Sequence, residues 1–171
     1  NAHTCALTGT GGVLCWGYNF YGQLGDNSKL DKYTPVAVSG LGSGVAAIAA
    51  GNQHTCALTN VGAVWCWGSN GDGQLGDNTG IQRLVPVAVS GLGGNIRAIA
   101  AGLNHMCALT DANGVRCWGA NHNGQLGDNT TTNRYAPVDV SGLSSGANAV
   151  AAGWFHSCAV MSGGTAQCWG R

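Results

Sequence analysis

Short β-favouring runs alternate along the chain with Gly-rich polar turns. His54-Thr55-Cys56-Ala57-Leu58-Thr59 predicts a strand, Asn60-Val61-Gly62 a turn, and Val64-Trp65-Cys66-Trp67 a returning strand. Gly62 suits the left-handed position of a short hairpin loop. Val87-Ala88-Val89 predicts another strand, entered through Pro86, which fits an edge or a strand start. Ile99-Ala100-Ala101-Gly102 predicts a fourth, built from small apolar residues, and Ala46-Ala47-Ile48-Ala49-Ala50-Gly51 repeats the type. A buried helix competes for the Ala run, but six residues ending in Gly and recurring in phase with strands favour a strand. Small residues there fit an innermost strand, crowded against its neighbours about an axis. Four short strands in about 51 residues, separated by Gly-rich turns, make one propeller blade.

The pattern repeats with a constant step of 51. Cys5, Cys56, Cys107 and Cys158 keep it, as do Cys15, Cys66, Cys117 and Cys168. His3, His54, His105 and His156 follow, and so do Trp16, Trp67, Trp118 and Trp169. Gly-Gln-Leu-Gly-Asp-Asn recurs at 22–27, 73–78 and 124–129. With no linker and no shift of composition, residues 1–171 read as one repeat array. Units fall in phase at 1–51, 52–102, 103–153 and a partial 154–171, or about 3.3 blades. The partial unit carries the His-to-Trp hairpin again, which points to an excerpt of a longer propeller.

Composition narrows the function classes. Charged residues are 8%, seven Lys plus Arg balance seven Asp, Glu is missing, and Gly numbers 30. Abundant Gly without Glu disfavours long helices. The balanced charge argues against nucleic-acid binding through a basic patch. No apolar run approaches the ~20 residues of a membrane-spanning helix.

Each unit holds two Cys ten residues apart around the hairpin turn. With the turn centred at residue 10, Cys5 lies opposite Cys15; centres at 61, 112 and 163 pair Cys56 with Cys66, Cys107 with Cys117, and Cys158 with Cys168. Opposed residues at a non-hydrogen-bonded site lie about 4.5 Å apart at Cα, within disulfide reach. Zinc and free thiols are the competing readings, although the spacing matches no familiar zinc-ligand pair. Four disulfides would place the chain in an oxidising compartment, so the expectation is a secreted or cell-surface protein.

Gly51-Asn52-Gln53-His54-Thr55-Cys56-Ala57-Leu58, then Cys66-Trp67-Gly68, then Gly73-Gln74-Leu75-Gly76, resembles the regulator of chromosome condensation repeat. The resemblance covers essentially the whole chain. It implies an all-β fold of four-stranded antiparallel blades in a seven-bladed ring, which at this period needs about 357 residues. For the nuclear members it implies nucleotide exchange on a small GTPase. The Cys pairs and neutral surface depart from those members, so that activity is not carried over. Secreted relatives include inhibitors that press an aromatic-studded propeller face onto a β-lactamase.

Candidate chemistry is sparse. The recurring His could ring an axis and hold a metal, but its place after Gly and before the hairpin strand suits a hydrogen bond that fixes the blade. Asp26, Asp77 and Asp128 could suggest calcium, yet one Asp and one Asn per unit fall short of six to eight oxygens; Asx turns explain them better. No nucleophile constellation or phosphate-cradling loop occurs, so the chain reads as neither an enzyme nor a cofactor protein. The recurring Trp reads as packing between blades.

Positions that keep their place while changing chemistry are the better functional candidates. Before the recurring His stand Asn52 and Gln53, Leu103 and Asn104, and Trp154 and Phe155. After Trp-Gly stand Tyr18, Phe20 and Tyr21, then Asn70 and Asp72, then Asn121 and His122. Together they predict a face that binds protein or carbohydrate. The stretches 28–34, 79–85 and 130–136 hold Lys29, Lys32, Arg83 and Arg134 and read as solvated outer loops; Asn129-Thr130-Thr131 is a glycosylation sequon. The expectation is therefore a secreted, non-enzymatic binding scaffold; the alternative is a building block of an extracellular fibre, sheath or adhesin. Remaining blades or another chain would cover the open edges.

Overall fold

A computed structural model describes residues 3–92 and 95–171. All its regular elements are strands. They are β1 (His3–Leu7), β2 (Val13–Gly17), β3 (Lys32–Ala37), β4 (Val45–Ala50), β5 (His54–Thr59), β6 (Val64–Gly68), β7 (Arg83–Ala88), β8 (Ile96–Ala101), β9 (His105–Thr110), β10 (Val115–Gly119), β11 (Arg134–Asp139), β12 (Ala147–Ala152), β13 (His156–Met161) and β14 (Ala166–Gly170). Four antiparallel meanders result: β1-β2-β3, β4-β5-β6-β7, β8-β9-β10-β11 and β12-β13-β14. Below they are the first to fourth blades of a partial propeller.

Strand chemistry explains the order within a blade. The Ala-rich strands β4, β8 and β12 contact one another in succession, so small side chains line the axis. The outer strands β3, β7 and β11 each carry a Pro. β7 is longer than the sequence suggests and contains Pro86, because an outer strand needs no N–H on its free side. The core lies between blades rather than inside one. Val13, Leu24, Val45, Ala57 and Trp67 close the first junction; Leu58, Leu75, Met106 and Trp118 the second; Leu109, Leu126, Ala147 and Ala159 the third.

The cysteines pair as hairpin partners: Cys5–Cys15, Cys56–Cys66, Cys107–Cys117 and Cys158–Cys168, each with Cα atoms 4.1 Å apart. The register places them directly opposite in every blade.

Candidate binding face

The register that opposes His54 to Gly68 brings two loops together at one end of every blade: the turn before the His and the loop after Trp-Gly. Gly51 is required because the His54 ring folds onto it; a Cβ there would lie 2.1 Å from His54 Cε1. Gly68 has φ 105°, which lets the chain leave β6 sharply. The Ser69 N–H then donates to the Gln53 carbonyl at 2.8 Å, and Ala120 and Arg171 do the same to Asn104 and Phe155. Around the ring, Asn52 N–H donates to Leu103 O at 3.1 Å and Leu103 N–H to Trp154 O at 3.3 Å.

Each long loop is organised around a buried Asn. The Asn70 Oδ1 accepts from Leu75 N–H at 3.0 Å, while its Nδ2 donates to Asp77 Oδ1 and to the Thr79 and Ile81 carbonyls. Asn19 and Asn121 repeat this arrangement. Asn70 and Asn121, expected on the binding face, are therefore corrected to internal loop scaffolds at 1% and 0% exposure. Their amides satisfy loop carbonyls that would otherwise be buried without partners.

Asp26, Asp77 and Asp128 close Asx turns, accepting from the N–H two residues on at 3.1, 3.0 and 3.0 Å. Asp77 also pairs with Arg83 at 2.7 Å, Asp128 with Arg134 at 2.7 Å, and Asp26 with Lys32 at 3.4 Å. Burial alone would raise the Asp77 carboxyl, but hydrogen bonds from Thr79, Arg83 and Asn70 outweigh it and hold the group below the ordinary carboxylate range. These carboxylates are occupied by their own loops.

The histidines couple neighbouring blades. Thr55 Oγ1 donates to Gln23 O at 2.9 Å, so at 2.8 Å from His3 Nε2 it accepts the ring proton. Ser157 relays His105 to Gln125 O in the same way. The equivalent residue at the second junction is Met106, which has no hydroxyl, and both His54 ring nitrogens lack partners among the described residues. Burial pushes His54 down to about 3, with His105 and His3 adding to the effect, and burial takes His105 to about 4. Both are neutral at physiological pH. Trp67, Trp118 and Trp169 each donate to the Gln carbonyl of the preceding blade at 2.9–3.0 Å.

The displayed residues form three groups at this end. Tyr18, Phe20 and Tyr21 form an aromatic cluster in the first blade, with Phe20–Tyr21 centroids 5.1 Å apart and Phe20 57% exposed. Asp72 sits between the second and third blades, accepting from Asn104 at 3.1 Å and Asn133 at 3.0 Å. His122 is exposed and touches Asn133 at 3.4 Å. In the fourth blade Trp154 is 69% exposed, beside Phe155. Asn52, Gln53 and Leu103 are half-buried and contribute mainly backbone to the ring of hydrogen bonds. Sequence reasoning missed Asn133 and the exposed Leu30, Tyr33 and Tyr135. The signal was available: three apolar residues in stretches otherwise read for their charge.

The Regulator of chromosome condensation (RCC1) repeat profile matches residues 10–58, 61–109 and 114–160. The chain belongs to the RCC1 repeat family. It is 40% identical over 144 residues to human "Probable E3 ubiquitin-protein ligase HERC4", covering 82% of the chain and 14% of HERC4. Human WBSCR16 superposes with a TM-score of 0.88 at 26% identity, over 99% of this chain and 45% of that one. Yeast RCC1 (Prp20), solved bound to Kap60, gives 0.85 at 28% identity, over 99% and 42%. A further structure of Prp20p from Saccharomyces cerevisiae is described with its binding properties to Gsp1p and histones. The chain thus spans a small part of HERC4 and under half of these solved chains.

HERC4 and Prp20 overturn the expected secreted or cell-surface location, because they are intracellular, nuclear or cytosolic proteins. The physical reason is simple. A hairpin that opposes two cysteines juxtaposes them in any compartment, and buried Cys is common in reducing ones. The extracellular fibre, sheath or adhesin reading rested on that location and falls with it.

Proposed function

We propose that this RCC1-repeat propeller is a non-enzymatic protein-binding scaffold whose His-end face engages the partner. The observation that carries the reading is the exposed aromatic cluster Tyr18–Phe20–Tyr21 on the same end as Trp154 and Phe155. Large aromatics on rigid loops lose little conformational entropy on contact and dominate interface energetics. Prp20 binds proteins, Kap60 in one structure and Gsp1p and histones in the description of another. Nothing comparable supports a carbohydrate partner. The formal net charge of zero leaves affinity to apolar and hydrogen-bonding contacts rather than to long-range steering.

The test is quantitative cross-linking of the purified chain to nuclear and cytosolic proteins, followed by affinity measurement with the partner so identified. Phe20→Ala and Trp154→Ala each weaken binding at least ~10-fold, a typical effect of truncating an aromatic anchor. Val61→Ser, on an exposed turn at the opposite end, leaves it unchanged. Equal affinity of all three variants would remove the face assignment.

A further inference from the structure

The first blade departs from the next two at one place on the His-end face. Its loop after Trp-Gly carries Tyr18, Phe20 and Tyr21, where the second carries Ser69, Gly71 and Asp72, and the third Ala120, His122 and Asn123. Asp31 stands where those blades have Gln82 and Asn133. Among the three blades that hold both segments, aromatics and acid therefore occur together in the first alone. Exposure at the Phe20 position belongs to the fold. Gly71 and His122 are exposed there too, in blades with a neighbour on each side.

The rings are arranged around one point. Tyr18 and Phe20 lie nearly parallel, 14° apart in plane with centroids 6.4 Å apart. Tyr21 stands across both, at 68° and 82°, with centroids 6.5 and 5.1 Å away. A cation seated above the trio comes within the ~6 Å of each centroid at which an aromatic ring attracts it. Asp31 brings a carboxylate to the same spot. Its Oδ1 accepts from the N–H of Asn19, between Tyr18 and Phe20, at 2.8 Å. Asn133 does the same for Asn121, and its Nδ2 lies 3.4 Å from Nε2 of His122, the counterpart of Phe20. By that correspondence the second oxygen of Asp31 lies beside the Phe20 ring. The adjacent cation, Lys32, is held by Asp26 at 3.4 Å. Near-parallel rings suit a flat cation, and a carboxylate suits a fork of N–H donors. A guanidinium has both properties; an ammonium has neither.

We propose that this cluster seats an arginine side chain of the protein partner. Its guanidinium lies over Tyr18 and Phe20, bounded by Tyr21, and its N–H groups donate to Asp31. The assignment rests on the protein-binding reading of this face and names the contact through which the face selects. Arg and the large aromatics are the residue types that most often anchor interfaces, and anchors on one side tend to meet anchors on the other.

A blocked Gly-Gly-Arg-Gly-Gly peptide, titrated into the isotopically labelled 171-residue chain and followed by NMR, tests this. Saturable shifts are expected in the ring signals of Tyr18, Phe20 and Tyr21 and in the Asp31 amide. The citrulline peptide, similar in shape but uncharged, binds at least about five-fold more weakly, and Phe20→Ala weakens the Arg peptide by as much. Asp31→Asn keeps an acceptor for the Asn19 N–H, as Asn133 does for Asn121, and weakens the Arg peptide about three-fold. Trp154→Ala leaves it unchanged. Equal affinity of the citrulline peptide, no saturable binding, or shifts elsewhere on the chain would overturn the proposal. So would a lysine or trimethyl-lysine peptide that binds as tightly, because the site would then take a compact ammonium. None of these outcomes alters what Phe20→Ala does to capture of the whole partner, so the face reading stands or falls separately.

Discussion

At the residue scale the motif is a set of backbone demands. Gly68 stands where a Cβ would meet Gln53 O at 2.5 Å and His54 Cα at 2.8 Å, with φ 105°. Gly68→Ala should therefore cost about 2–4 kcal/mol, since both the left-handed strain and the backbone clash must be relieved. Gly71→Ala has open space and should change stability by less than about 0.5 kcal/mol. Urea denaturation followed by circular dichroism measures both, and equal effects would refute the assignment. Met106 supplies a second case. Met106→Thr restores a hydroxyl beside His54, so the His54 Nε2 proton should become protected and visible by NMR, as expected for His3 and His105. Continued rapid exchange would mean that the hydroxyl relay of the other junctions does not form there. The second junction is not left loose, however: Asp72–Asn104, Asp72–Asn133 and Tyr135–Gly71 bond across it near the surface.

At the element scale the hairpin is the unit. Its register was readable from the ten-residue Cys spacing and the turn glycine, because side chains alternate with period two and a one-residue slip would reverse every face. A hairpin-sized loop makes each bridge worth about 2–3 kcal/mol in the chain-entropy model. Cys56→Ala with Cys66→Ala should lower stability by roughly that amount plus the loss of packing, and dithiothreitol should destabilise the unaltered chain. Intact mass after alkylation without reductant provides the check: eight modified thiols would show that the pairs are not bridged. Less of the long loops was legible. Asn70 and Asn121 recur with Asn19 at the 51-residue step, the mark of a scaffold position, but read as display positions with the changing residues beside them. They are buried because a loop of this length must satisfy its own carbonyls, and one amide does that for two strands of loop.

At the scale of the whole molecule, stability is an inter-blade property, and its pH dependence follows. His54 and His105 have folded values depressed to about 3 and about 4, below the unfolded value near 6.5. A depressed value means the unfolded chain binds the proton first. Stability is thus fully present above pH ~6.5 and falls as pH drops towards the folded values, by about 1.4 kcal/mol per pH unit per histidine. The Asp77, Asp128 and Asp26 carboxylates, held below their ordinary range, add a further loss in stronger acid, as pH falls below about 4. Urea midpoints between pH 7.5 and 4.5 should fall monotonically; a flat profile would show that the buried imidazoles protonate without cost.

The strand periods, the 51-residue step and the Cys register are local quantities, and the sequence by itself determined them because each depends on neighbours a few residues away. It also determined the family, through glycines that only close backbone approach requires. Tertiary structure alone decided which loop residues are displayed, since burial of Asn70 and exposure of Phe20 depend on contacts with other loops and blades. It alone exposed the missing hydroxyl beside His54, which matters only where one blade meets the next. Compartment was recorded in neither geometry nor spacing, because opposed cysteines follow from the hairpin and not from its surroundings.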